Sequence, residues 1–302
     1  MTEEQRKTIL LFQLTSDIFF SKVLEDIEAC EEVTNIITEK EFKIKQVKSQ
    51  YSIRQLASHS VVLDIIATEE MDTRIHLEMH PQNNEDHMRR IRYNSSCVDV
   101  EILEKSKEYK ELSDVYGIYI SKKRFGRSVK GINEVKRVFK NTGGELKDLK
   151  GQELPNEVEA PNGTYEYYVN LNGKCDTWEQ TELLKYMVNS DGILEHKAFP
   201  NLVKRVRFLK EEKGGIEIMC EILEREREIG KEIGKEIGKE IGKEIGEMLN
   251  CIKLIKKQLQ KQTGIDEIAD LLDVENAFVL KVKSLLKEFP ALTNEELVGQ
   301  LM

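Results

Sequence analysis

Two short runs, Val61-Val62-Leu63-Asp64-Ile65-Ile66 and Ile75-His76-Leu77-Glu78-Met79-His80, each set a carboxylate among aliphatic side chains. A fold that buries those aliphatics brings the acids to the edge of a core, where a carboxylate is costly unless something positive sits beside it. The polar segment Thr68-Glu69-Glu70-Met71-Asp72-Thr73 separates the runs, so the pattern predicts a β-hairpin. Side chains alternate along a strand, which puts His76, Glu78 and His80 on one face and points Ile75, Leu77 and Met79 into a core. Paired in this way, Asp64 and Glu78 can share one divalent cation. Hard oxygen ligands suit Mg²⁺ or Mn²⁺, ions that activate water for attack on a phosphodiester and offset the developing charge. Two histidines on one strand face also raise a zinc reading, but the chain has no Cys-x-x-Cys pair to support it.

Three further segments accompany the acid-bearing strands in order: Thr15-Ser16-Asp17-Ile18-Phe19-Phe20-Ser21-Lys22-Val23-Leu24, Arg89-Arg90-Ile91-Arg92-Tyr93-Asn94-Ser95-Ser96 and Val115-Tyr116-Gly117-Ile118-Tyr119-Ile120. The ordered set resembles the PD-(D/E)XK nuclease family transposases, also called recombination-promoting nucleases, whose parent group carries an Asp in one core strand and Glu-x-Lys in the next. The resemblance implies an α/β fold with a restriction-endonuclease-like core, a central mixed sheet flanked by helices. It implies a metal-dependent DNA endonuclease that hydrolyses phosphodiester bonds, associated with mobile elements or recombination. Asp64, Glu78 and His80 are then the catalytic residues, and Asp64 and Glu78 the ligands of Mg²⁺ or Mn²⁺. Asp17 stands where the family has an accessory acid, although an acid at a helix start is also favoured by the helix dipole. Arg89, Arg92 and Tyr93 share one helix face that can meet a DNA phosphate or pair with Glu85 or Asp86.

The chain departs from the family at one position. Where the branch typically carries Gln and other branches Lys, this sequence has His80, with Gln82 one strand step further and beyond Pro81. A lysine there is a fixed cation that orients water and offsets transition-state charge. Histidine accepts a proton near neutral pH but is not a permanent charge. The alternative expectation is therefore a catalytically weakened nuclease fold acting as a DNA- or protein-binding, self-associating module.

Composition sets limits on partners. A net charge of −9 argues against indiscriminate nucleic-acid binding, yet Lys122 to Lys140 holds eight basic residues against Glu134 alone, a local +7 patch able to track a phosphate backbone. Five cysteines, far apart, read as reduced thiols of a cytoplasmic protein, and no apolar run is long enough to span a membrane.

Periodicity supplies the organisation. Thr15 to Thr38 has helical spacing, Phe42 to Val47 alternates as a strand, and Val115 to Ile120 reads as a buried strand. Asn141 to Gly173 is turn-rich, Tyr165 to Leu171 is a strand with packing aromatics, and helical spacing returns from Trp178. From Glu228 the tetrad Glu-Ile-Gly-Lys recurs through Lys243. A period of four turns the isoleucine stripe by about 40° per repeat on a 3.6-residue helix, with Glu232 in reach of Lys235 and Glu236 of Lys239. Each glycine costs the helix about 1 kcal/mol relative to alanine, so a marginal helix is expected, one that gains from a partner along its Ile/Gly stripe in a coiled-coil-like self-association. Three regions follow: a nuclease-like domain at 1–225, the repeat helix at 226–250 and a small all-α tail at 251–302. A homodimer is the expected state, since two strands call for two copies.

Overall fold

The acid-bearing hairpin forms the middle of a mixed sheet. A computed structural model describes residues 2–53, 60–82, 87–103, 108–140, 157–190 and 196–301. Three helices, α1 (Glu3–Leu11), α2 (Asp17–Leu24) and α3 (Ile27–Thr38), precede three strands, β1 (Ile44–Ile53), β2 (Val61–Glu69) and β3 (Arg74–Met79). Helix α4 (His87–Ile102) then leads to β4 (Val115–Ser121), β5 (Ile132–Val135), β6 (Val138–Lys140), β7 (Glu157–Glu159) and β8 (Thr164–Asn170). The six-stranded order is β1-β2-β3-β4-β8-β5, with β6 and β7 as a separate pair. β1, β2 and β3 are antiparallel neighbours, whereas β3, β4 and β8 run parallel, so α4 is a crossover connection lying on one face of the sheet. This mixed sheet with flanking helices is the restriction-endonuclease-like core expected from the sequence.

The β2–β3 turn closes on Asp72, which takes a left-handed φ of 69° and is tied to Lys45 of β1 at 2.7 Å. That turn sets the register in which Ile65 faces Leu77 and Ile66 faces His76. Alternation along β3 holds as predicted, but both faces are covered: His76 is 0% exposed and Glu78 2%. A one-sided sheet would have left them wet. Here α4 lays Asn94 and Ser95 over them.

The helical stretch from Thr15 to Thr38 is two helices rather than one. Asp26 leaves helical geometry and its side chain accepts from the Ala29 N–H, capping α3 while α2 ends at Leu24. β1 also starts later and runs further than its alternating hexapeptide, to Ile53. β8 behaves as expected, with Tyr165 stacked on Tyr116 and Tyr167 and Tyr168 buried. Residues 141–156 of the turn-rich stretch lie outside the described residues.

Further helices are α5 (Trp178–Val188), α6 (Pro200–Glu211) and the 48-residue α7 (Lys213–Gln260). The chain divides into two compact units, Met1–Glu221 and Ile222–Met302. In the second unit, the end of α7 packs with α8 (Ile265–Leu272), α9 (Asn276–Glu288) and α10 (Asn294–Leu301) around Ile252, Ile255, Ile268, Val279, Val282 and Leu297. Thr293 and Glu296 form the reciprocal cap that opens α10. No helix among the described residues is long and apolar enough to cross a membrane. The five cysteines are free thiols.

Candidate active site

One step past the Ile65–Leu77 pair, β2 and β3 bring Asp64 opposite Glu78. Donor atoms of Asp64, Glu78 and His80 all lie within 4.8 Å of one another, close enough to surround one ion. Asp64 is held from the β3 side by the Met79 N–H, which donates to Oδ2 at 2.8 Å. From the β1 side comes Gln50, whose position in the register faces Asp64 and whose φ of 45° is left-handed. That bend breaks the alternation, so consecutive side chains Ser49 and Gln50 both turn to α2, reaching Glu25 and Ser21. Gln50 Nε2 also lies 3.5 Å from Asp64 Oδ1. A non-glycine residue strained in mid-strand beside a buried acid is a mark of functional sites.

Glu78 sits among donors. Asn94 of α4 donates to its Oε1 at 3.1 Å, His76 Nδ1 stands 3.6 Å from the same oxygen, and His80 Nε2 stands 3.7 Å from Oε2. Burial alone drives the Glu78 carboxyl upward, but the two imidazoles beside it outweigh that and hold it below the ordinary glutamate value. At Asp64 the Met79 N–H and His80 also pull downward but do not suffice. Burial, and then the charge of Glu78, push it up to about 7. Two carboxylates thus meet in a poorly hydrated place with one of them resisting ionisation, a donor set that a divalent cation would relieve. The fit to an oxygen-seeking ion is good.

His80 continues the line of β3, its N–H donating to the Ile120 carbonyl at 2.8 Å. Its ring stacks on Tyr119 at 5.0 Å, next to an aromatic group of His87, Phe125 and Tyr168. Arg90 reaches it from α4, with Nη1 at 3.0 Å from His80 Nε2. The guanidinium is a permanent charge beside the position where the sequence lacks one.

Asp64, Glu78 and His80 are therefore brought together, and the other sequence candidates are placed around them. Asp17 opens α2 just after the cap residue Ser16, is exposed, and adds to the upward push on Asp64 while standing outside the three-donor group. Arg89, Arg92 and Tyr93 lie on the exposed face of α4, opposite Ile91, Asn94 and Ser95. Their alternative partners Glu85 and Asp86 lie outside the described residues. Arg90 and Asn94, which touch the site, were not singled out from the sequence. The signal was there in Ile91, Asn94, Ser95 and Val98, an i, i+3, i+4, i+7 face whose two polar members disguise it.

The basic stretch divides in the same way. Lys130, Lys136 and Lys140 pair with Asp176, Glu159 and Glu157. Lys122, Lys123, Arg124 and Arg127 follow β4 without an ion pair among the described residues, in the loop that Phe125 anchors to the aromatic group beside His80.

Residues 21–150 match the family model of the PD-(D/E)XK nuclease family transposases. The matched span holds both acid-bearing strands, α4 and β4, so the resemblance drawn from the sequence is borne out, and the family it matches suggests a nuclease and mobile-element role. PD-(D/E)XK nucleases are generally dependent on divalent metal, and the carboxylate pair fits that chemistry. No curated protein and no solved structure matches the chain.

Proposed function

We propose that the protein is a divalent-metal-dependent DNA endonuclease with Asp64 and Glu78 as the ligands of Mg²⁺ or Mn²⁺. The observation that carries this reading is the convergence of the Asp64, Glu78 and His80 donor atoms within 4.8 Å inside a PD-(D/E)XK sheet. When bound, such an ion supplies an activated water and charge neutralisation at the scissile phosphate. The remaining work falls to side chains. His80, with a nitrogen near Glu78 and a ring fixed on Tyr119, orients water and takes its proton. Arg90 contributes the fixed positive charge that His80 does not, stabilising the developing negative charge on phosphate. The Lys122–Arg127 loop and the outer face of α4, with Arg89, Arg92 and Tyr93, contact the flanking phosphates, a role in which cations position the duplex without reading sequence.

Incubating the full chain with supercoiled plasmid and Mg²⁺ or Mn²⁺ tests the proposal. Nicked or linear product that requires the metal supports it; retention of DNA without any cut product supports the binding-module alternative that the His80 departure raises. Arg90→Ala is expected to lower cleavage by about 10²- to 10³-fold, the range for losing one transition-state donor. Arg90→Lys should restore part of it, and activity equal to wild type in Arg90→Ala would remove Arg90 from the mechanism.

Double-strand cleavage needs two copies, and the repeat helix is the surface we assign to self-association. Ile229, Ile233, Ile237 and Ile241 stand 42–52% exposed along α7, and none of the glycines between them has a neighbour that an added Cβ would meet. Of the ion pairs expected along the repeat, neither Glu232–Lys235 nor Glu236–Lys239 forms; Lys243 pairs with Glu247 at 3.8 Å instead. Ile233→Asp with Ile237→Asp should leave the protein monomeric in analytical ultracentrifugation while its helical content is kept. A wild-type monomer at high concentration would dismiss this role for the helix.

A further inference from the structure

His76 lies two residues before Glu78 on the same face of β3 and is completely buried. Its surroundings are built for a ring. On β4 the partner in register is Gly117, and a Cβ there would stand 2.8 Å from His76 Nε2 and 3.1 Å from Cε1, so any other residue would push the imidazole away. Ser95 of α4 places its Oγ 2.9 Å from Nε2. The opposite nitrogen, Nδ1, is buried without a hydrogen-bond partner and faces Glu78 Oε1 across 3.6 Å.

A buried polar nitrogen left unmatched is costly, and the acceptor that faces it is a carboxylate oxygen that already takes a hydrogen bond from Asn94. Nδ1 carries the proton if the Ser95 hydroxyl donates to Nε2, and a sub-ångström approach then makes a charge-assisted hydrogen bond to Oε1. We propose that His76 is a positioning residue for Glu78. Together with Asn94 it occupies Oε1, which leaves Oε2, the oxygen on the His80 side, as the one presented to the cation. Ser95 fixes the tautomer and Gly117 provides the space. This rests on the metal-site reading above, and follows the general pattern in which outer partners orient a ligating carboxylate.

Calorimetric titration of the metal-free full chain with Mn²⁺, beside thermal melts without metal, tests the inference. His76→Phe keeps a flat ring in the cavity and loses both nitrogens; His76→Asn keeps a donor near the Nδ1 position. The expected result is about 10- to 100-fold weaker Mn²⁺ binding in His76→Phe, substantial recovery in His76→Asn, and a several-fold loss in Ser95→Ala. Equal weakening in the Phe and Asn variants would assign the effect to packing and overturn the proposal, as would wild-type binding in His76→Phe. Where His76→Phe does not fold, Ser95→Ala decides, since unchanged Mn²⁺ affinity there removes the tautomer argument. The two readings separate cleanly: a wild-type chain that binds no Mn²⁺ ends both, whereas binding lost in Glu78→Gln but kept in His76→Phe ends only this one.

Discussion

Asp64→Asn is expected to abolish Mn²⁺ binding and metal-dependent nicking while raising the melting temperature of the metal-free protein at pH 8. The asparagine keeps the size of the side chain and an oxygen for the Met79 N–H, which donates at 2.8 Å in the native site. What it removes is a charge that burial and Glu78 both disfavour, enough to push Asp64 up to about 7. Above that pH the native protein holds an ionised carboxylate against its surroundings, at a cost on the order of a few kcal/mol, which corresponds to several degrees in a unit of this size. Glu78→Gln should behave differently. It also loses metal and cleavage, but its charge is favoured by His76 and His80, so the metal-free protein is expected to melt lower, not higher. Differential scanning calorimetry of both variants beside the nicking assay reads the contrast. Cleavage that survives both substitutions would indicate a contaminating nuclease or another site.

The opposite stability signs of two acids facing each other also show what the sequence could and could not convey. That Asp64 and Glu78 meet was legible, because a period of two fixes the face and a short polar turn fixes the register. Which of them stays charged was not, since that depends on α4 arriving over Glu78 with Asn94 and on His76 being sealed beneath Ser95. The choice of Arg90 over Arg89 and Arg92 was hidden for a related reason. Helical spacing tells which residues share a face, but the face that meets the sheet is set by its apolar members, and here half of the inward set is polar. The bend at Gln50 had no signal at all, because a left-handed φ is announced by glycine or asparagine and this residue is neither. For the repeat, the glycine penalty predicted a marginal helix, whereas α7 is continuous from Lys213 to Gln260. Each end of the repeat is continuous with helix that packs, through Met219 before it and Ile252 after it, so the glycine turns are added to existing helix without a separate nucleation cost.

Proton competition gives the last expected result: the apparent Mn²⁺ affinity rises about tenfold per pH unit up to about pH 7 and is level above it. Only the ionised Asp64 can hold a cation, and its proton leaves at about 7. Glu78, held below its ordinary value, is already ionised across that range, so it adds no second proton to the slope. The sign for stability follows from the same shift. Asp64 is raised from 3.8 to about 7, so between these values the folded chain keeps a proton that the unfolded chain has released, and metal-free stability falls as pH rises across that interval. Saturating Mn²⁺ opposes the fall, because the ion binds the folded chain in the place the proton vacates. Isothermal titrations from pH 5.5 to 8.5 with parallel melts measure both slopes; a pH-independent affinity would mean that Asp64 does not hold the ion.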